Sequence, residues 1–447
     1  MKTHALYTCR RCGTNTPRWQ GRCGTCDEWN SIDEVPTLSA VRGERVVTTS
    51  LRDVADEDSA VTPSGVGELD RVLGGGFVAG STTLLYGEPG VGKSTLALMA
   101  LRALALANAD VVLVASEESA AQVAQRARRF GEVPAGLEVA TTTNVRSGES
   151  LLRERRRTLC VVDSISAMSD DTLASAVGSV PQIRNAAERL CSAAKATGTA
   201  LLLIGHVTKD GELAGPRALE HLVDTVVRIE GERQGTLRLL RAQKHRFGPT
   251  GEVGLFEMVG EGLLELNDAS RTLRGPQLDV PGVVLTVTND GSRSFLVEIQ
   301  ALVAQASGST RRVAYQVSSQ RLSLLLAVLE SRCGVDTNAL DVFAATAGGL
   351  SASEPGVDVA LALAVASAVQ GFAVPPTLVA LGEVGLAGEL RAVSGLTRRV
   401  REASRLGATI VIVPGEGELE DVAGVSVIRC HSLVEAIHAA QPVSARE

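Results

Sequence analysis

The stretch Gly87-Glu88-Pro89-Gly90-Val91-Gly92-Lys93-Ser94-Thr95 decides how the rest of the 447-residue chain is read. It has the pattern G-x-x-x-x-G-K-S, in which glycines let successive backbone N–H groups close around a triphosphate. The run before it, Ser81 to Tyr86, is apolar and β-branched and predicts a strand; the run after it, Leu96 to Ala107, is rich in Leu and Ala and predicts a helix. That context is the one the motif needs, because a helix N-terminus adds its partial positive charge to the phosphate cradle. On this reading residues Gly87 to Thr95 hold ATP, Lys93 reaches the terminal phosphates, and the Ser94 hydroxyl holds a magnesium ion. A glycine-rich turn that merely joins strand to helix is the competing reading; Lys-Ser in register and the fitting flanks weigh against it.

Outward from the loop, strands alternate with helices, which predicts a parallel sheet covered on both faces. Ser64 to Asp70 followed by Gly74-Gly75-Gly76-Phe77 reads as a short helix running into a glycine turn before the first core strand. Val111 to Val114 is an apolar strand ending at Ser116-Glu117-Glu118, with a helix predicted from Ser119 to Phe130. Leu159 to Asp163 is another apolar strand closing on an acid, where Asp163 would hold the magnesium through water. A helix over Pro181 to Thr197 and a strand over Ala200 to Ile204 lead to Gly205-His206. Glu117 is the candidate general base, expected at the carboxyl end of the strand beside the phosphate loop, with Glu118 as its competitor. His206 suits a phosphate or nucleic-acid sensor, or a structural histidine.

Strands over Thr225 to Ile229 and Thr236 to Arg241 precede Lys244-His245-Arg246-Phe247-Gly248-Pro249-Thr250-Gly251. Cations two apart in an extended segment project to one side, and the residues after them read as a turn. Lys244 and Arg246 can stabilise charge on a γ-phosphate in a neighbouring subunit, as an arginine finger does. Contact with a DNA phosphate, or simple solvation in a hairpin, are the other readings.

Four of the eight cysteines lie in Cys9-x-x-Cys12 and Cys23-x-x-Cys26. Two such knuckles can give four thiolates to one zinc ion, whose binding energy would fold a segment too short for its own core; a disulfide or redox pair is the alternative. Arg10, Arg11, Arg18 and Arg22 decorate this segment with Trp19 and Trp29, for DNA, for a partner, or as a solvated face. The other cysteines read as buried thiols. The net charge of −7 confines any nucleic-acid surface to a local patch, and 3% aromatic residues limit base stacking. The length requires several domains. No run of about eighteen apolar residues and no apolar leader is visible, so a soluble, cytoplasmic protein with no membrane partner is expected. Residues 36–62 read as a linker with a short strand at Val46-Val47, Arg271 to Pro281 as a second linker, and the remainder as α+β. Within it, helices are predicted over Val357 to Gln370 and Leu396 to Gly407.

In this order, the cysteine knuckles, Ser64 to Gly76, Gly87 to Ser94, Gly205 to Lys209, Ala214 to Arg217 and Lys244 to Gly248 resemble the RadA (Sms) family of bacterial DNA-repair ATPases over nearly the whole chain. The resemblance implies a zinc ribbon at 1–35, a linker at 36–62, an α/β RecA-like P-loop ATPase core at 63–270 and an α+β Lon-protease-like domain at 271–447. The family's loop reads Lys-Asn-Arg-Phe-Gly; here His245 takes the second place and both cations remain. In replicative hexameric helicases, which this loop also resembles, the catalytic glutamate lies five residues before a glutamine, a spacing that Glu117 and Gln122 share. The resemblance implies ATP, Mg2+ and Zn2+ as cofactors. It also implies a hexameric ring that moves on single-stranded DNA and drives branch migration of recombination intermediates with the RecA recombinase. Lon peptidases use a serine after a proline and a later lysine; the matching positions are Gly356 after Pro355 and Thr397 after Gly395-Leu396, so no peptidase activity is expected. Arg311, Arg312, Arg398 and Arg399 would then give phosphate contacts or solvated helix faces.

Overall fold

The computed structural model describes residues 6–35, 50, 60–206, 219–231, 236–266, 279–347 and 350–442. The expected strand at Val46-Val47, residues 207–209 and 214–217 of the family-like stretches, and most of both linkers lie outside them. The chain divides into two compact units, Met1–Ala55 and Asp56–Glu447. In the first, Leu6–Cys9 pairs antiparallel with Asn15–Thr16 and with Ile32–Val35. Its buried centre is little more than Cys9, Cys23 and Ile32, which is why sulfur ligation has to supply its stability.

Besides two small antiparallel pairs, Val61–Thr62 with Phe77–Val78 and Glu383–Val384 with Leu390–Arg391, the second unit holds two large sheets. The first has nine strands, six of them parallel: Thr225–Gly231, Thr82–Gly87, Ala200–His206, Leu159–Asp163, Val111–Ala115 and Leu137–Thr141, in that spatial order. The inner strands are near-continuous apolar runs because helices cover both faces, whereas the edge strand Leu137–Thr141 is largely exposed. Gly67–Val72 and Lys93–Leu106 pack on one face, Val145–Glu154 and Val180–Thr197 on the other. An antiparallel wing, Leu237–His245, Val253–Val259 and Gly262–Glu265, extends the sheet beyond Thr225–Gly231. Among the described residues no helix is long and apolar enough to cross a membrane.

The second sheet has seven strands, ordered Arg312–Tyr315, Leu340–Thr346, Arg293–Gln305, Val283–Asp290, Leu378–Ala380, Ile410–Pro414 and Ser426–Cys430. Helix Asp358–Gln370 is apolar all round and fully buried from Val359 to Ala366, so it forms the centre of this domain. Leu255 and Leu266 of the wing belong to the same apolar cluster, so the two sheets are joined through a shared core.

Candidate functional site

Register alone gathers the first group of candidates. In the parallel sheet Gly87 pairs with His206, Asp163 with Ile204, and Ala115 with Asp163, so the loops leaving these strands open at one edge. Glu117 is not on a strand beside the phosphate loop, as expected from sequence: Ala200–His206 and Leu159–Asp163 lie between its strand and Thr82–Gly87. The common edge brings it close nonetheless.

Glu88, Pro89 and Gly90 are exposed at the crest of the loop, whereas Val91 is buried. Gly92 takes φ 113° as the N-cap of Lys93–Leu106, a conformation open to glycine, and a side chain there would meet the Met258 methyl of the wing. Lys93 is buried, and its ammonium donates to the carbonyls of Gly87 and Glu88, both at 2.9 Å. Burial pushes its pKa down, against the opposing pull of Asp163 and Glu117. Ser94 and Thr95 are half-buried in the first helical turn. Behind the loop, buried Arg238 donates from Nε to the Val91 carbonyl at 3.2 Å.

The two glutamates after Ala115 have different surroundings. Glu117 accepts a hydrogen bond from the Ser164 hydroxyl, which is 2.6 Å from that of Ser166, and lies 3.6 Å from His206 Nε2. Glu118 is paired with Arg126 at 2.9 Å, and the same guanidinium lies 3.7 Å from Asp163. Gln122, whose spacing matched the helicase pattern, closes a capping box with Ser119 at the start of Ala120–Ala127. Ser164, Ser166, Arg126 and Arg238 were not singled out in the sequence. Only Ser164, next to Asp163, carried a local signal.

Lys244 and Arg246 do not join this group. Lys244 and His245 end strand Leu237–His245, longer than expected, just past a bulge that leaves Gln243 without a partner on Thr225–Gly231. A bulge re-aims the side chains that follow it. The Lys244 ammonium donates to the carbonyls of Glu220 (2.6 Å) and Val223 (2.8 Å). Arg246 is exposed, 3.7 Å from buried Asp224, which also accepts from the Thr82 N–H and hydroxyl. Arg246 is thus level with Thr82, five residues from Gly87, or about 16 Å along the strand. His245 turns inward, 3.0 Å from the Thr225 hydroxyl and edge-on to Phe247, and burial pushes its pKa down.

In the first unit, the four Cys Sγ atoms lie within 4.8 Å of one another, with Cys9–Cys26 at 3.7 Å and Cys12–Cys23 at 3.6 Å. Four thiolates about 2.3 Å from one ion stand about 3.8 Å apart, so the set fits tetrahedral zinc; a disulfide would need about 2.05 Å. The knuckles are alike: Gly13 N–H donates to Cys9 O and Asp27 N–H to Cys23 O. The Ser31 hydroxyl beside Cys9 lowers that thiol to about 6. Arg10, Arg11 and Arg22 are each paired with an acid of the ribbon (Asp33, Glu28 and Asp27), while Trp19 and Trp29 are exposed.

Comparison with known proteins agrees with this layout. Residues 7–34 match the rubredoxin metal binding domain, 50–212 the AAA domain, and 335–435 the Lon protease (S16) C-terminal proteolytic domain. The DNA repair protein RadA of Brucella abortus is 43% identical over 437 residues, covering 94% of this chain and 93% of that protein. Those of Mycolicibacterium smegmatis and Pseudomonas aeruginosa are 40% and 41% identical, covering 99% and 98% of this chain and 98% and 99% of their own lengths. The chain belongs to the RadA family of DNA repair proteins.

This RadA-family chain corrects one expectation about its Lon-like domain. Arg399 is neither a phosphate contact nor a solvated side chain. It is fully buried, forked onto Glu354 at 2.8 and 2.7 Å, and donates to the Val287 and Ser394 carbonyls. Burial pushes Glu354 upward, but Arg399 and the Asn289 N–H outweigh it and hold the carboxyl below its usual range. The same guanidinium lies 3.0 Å from where a Cβ on Gly356 would sit, and Thr397 accepts from the Glu420 N–H. Arg312 is bound to the carbonyls of Thr337 and Leu340, and Arg398 to that of Ser292; Arg311 is exposed.

Proposed function

We propose that this chain is an ATP-hydrolysing motor of homologous recombination. Copies form a hexameric ring, move on single-stranded DNA and drive branch migration of recombination intermediates with the RecA recombinase. The carrying observation is that Arg246 lies a strand's length from the chain's own phosphate loop, level with Thr82, and that the Lys244 ammonium is held on the carbonyls of Glu220 and Val223 near that same end. Cations so placed complete a phosphate site only on a neighbouring copy.

Within that reading Gly87 to Thr95 wrap the phosphates of ATP. Lys93 leaves its two carbonyl partners for the terminal phosphates, and Ser94 and Asp163 hold the ion. When bound, Mg2+ supplies charge neutralisation for the leaving phosphates. Glu117 orients and deprotonates the attacking water, steadied by Ser164; His206, within reach of Glu117, senses the terminal phosphate. Glu118 is the weaker candidate because Arg126 neutralises it. Arg246, and Lys244 once released from its carbonyls, stabilise the transferred phosphoryl group of the neighbour. The domain limits proposed are 1–35, 36–62, 63–270 and 271–447. The Lon-like domain is a ring-forming scaffold without peptidase activity; the Arg399–Glu354 fork packed over Gly356 supports this, since it fills the space a serine there would need.

The test is ATP hydrolysis with and without single-stranded DNA, together with extension of a strand-exchange joint, for wild type and Lys244→Ala. DNA-stimulated turnover in the wild type, and a variant that binds ATP and DNA without extending the joint, would support the motor. Normal extension by the variant, or hydrolysis without movement in the wild type, would replace it by an ATP-switched DNA clamp or filament.

A further inference from the structure

Beyond Lys244 and His245, which end the strand, the Lys244–Gly251 loop has little structure of its own. Arg246, Phe247, Pro249 and Thr250 are exposed. What fixes such a loop is whatever grips its two stems. Both stems are gripped by one element, the turn Asp290-Gly291-Ser292-Arg293 between the first two strands of the C-terminal sheet.

On the entry side, Asp290 forms an ion pair with Arg241, both side chains three-quarters buried. On the exit side, the Ser292 N–H donates to the Gly251 carbonyl at 2.6 Å and its hydroxyl to Glu252 at 2.6 Å. Arg293 donates to the Val253 carbonyl at 3.1 Å and to buried Glu68 of helix Gly67–Val72. Gly291 has φ 58°, and any Cβ added there would overlap the Gly251 carbonyl oxygen. From behind, Arg398 donates to the Ser292 carbonyl at 2.8 Å. A third contact closes the cage: Gly74 and Gly248 both lie so close to the His245 ring that a Cβ on either would crowd it.

We propose that the Asp290–Arg293 turn is the positioning element of the Lys244–Gly251 loop. The C-terminal domain thereby sets the geometry of the ATP site that the loop completes on the adjoining copy. The inference rests on the shared-site reading above and adds to it a role for the C-terminal domain beyond scaffolding. Plain domain adhesion would not need both stems of one loop, since Leu255 and Leu266 already join the domains through apolar packing.

The test uses the full chain carrying Gly291→Ala, and separately Asp290→Asn, which keeps size and removes only the charge. Gly291→Ala is expected to bind an ATP analogue within about twofold of wild type while DNA-stimulated turnover falls about 10- to 100-fold, as displacement of a catalytic group by about an ångström does. Asp290→Asn is expected to show the same pattern at several-fold. Mixing Gly291→Ala copies with Lys93→Ala copies is expected to restore turnover, because the first bring intact phosphate loops and the second correctly held cations. A purely structural defect would not be rescued in this way. Arg246→Ala mixed with Lys93→Ala is the reference. If that pair recovers, wild-type turnover in both turn variants, or a Gly291→Ala defect that mixing does not relieve, overturns the positioning role. If Gly291→Ala fails to fold, wild-type turnover of Asp290→Asn overturns it. If the reference pair stays inactive, the shared site itself falls and the inference with it.

Discussion

The two ends of the nine-stranded sheet are built for different tasks. At one, parallel strands end together and deliver Gly87, Ala115, Asp163 and His206 in register, so that Lys93, Glu117 and Ser164 converge on one loop system. At the other, the antiparallel wing delivers Lys244 and Arg246 beside Asp224 and Thr82. The first end has the proposed phosphate cradle, metal-binding acid and base, but its cations are engaged: Lys93 and Arg238 on backbone carbonyls of the loop, Arg126 on Glu118. The second end has positive charge and no cradle: Lys244 is held on two backbone carbonyls, and Arg246 is exposed 3.7 Å from Asp224. Parallel sheets collect binding loops at the carboxyl ends of their strands; cations added by an antiparallel extension necessarily point elsewhere. On the reading proposed above, one copy thus holds two halves of two different sites.

That division is broken first by substitution of Lys93. Lys93→Ala should leave no measurable ATP turnover, and residual hydrolysis at wild-type rate would show that the cradle is not where ATP reacts. Arg246→Ala comes next: turnover should fall about 10³-fold, the lower end for a lost arginine finger. Equilibrium binding of a fluorescent ATP analogue should stay close to wild type, because the residue does not touch its own cradle. Weakened binding of the same size would place Arg246 at its own site and erase the contrast between the ends.

Within the first end, Glu117→Gln should cost about 10² in turnover, as loss of a general base does, and Glu118→Gln no more than a few-fold. The reverse order would move the base to the residue paired with Arg126. The smallest effect concerns stability. Glu354→Gln should lower the melting temperature by about 5 °C at neutral pH through the weakened grip on Arg399. Since the folded carboxyl is held below its usual range, its contribution is complete above about pH 4.3 and is lost as pH falls through the depressed folded value. The gap between wild type and variant should therefore close on acidification; a constant gap down to acid pH would refute that origin.

Motifs whose chemistry is local were legible in the sequence: the phosphate loop, the acid closing Leu159–Asp163, and the two cysteine knuckles whose sulfurs meet at 3.6 and 3.7 Å. What was not legible depends on sheet order, which sequence does not encode locally. Glu117 was expected beside the phosphate-loop strand because its strand follows next in the chain, but two later strands insert between them. Arg399 was missed for another reason. The basic helix Leu396–Arg405 looks solvated by composition, yet Leu396, Arg399, Val400 and Ala403 follow the i, i+3, i+4, i+7 spacing of a buried face. The pattern was present and its charge concealed it. Asn289-Asp290-Gly291-Ser292 reads as a hairpin turn, but nothing in it announces that it grips a loop some forty residues earlier. Arg238, an arginine inside an apolar strand, has no local sign of reaching the Val91 carbonyl.

The most direct test of a site divided between copies is ATP turnover in mixtures of Lys93→Ala and Arg246→Ala chains. Each variant alone should be inactive. Together they should regain a substantial fraction of wild-type turnover, passing through a maximum as the mixing ratio is varied, because some boundaries pair an intact cradle with an intact arginine. Mixtures that show only the sum of the two inactive proteins, with mixed assembly verified, would contradict the account.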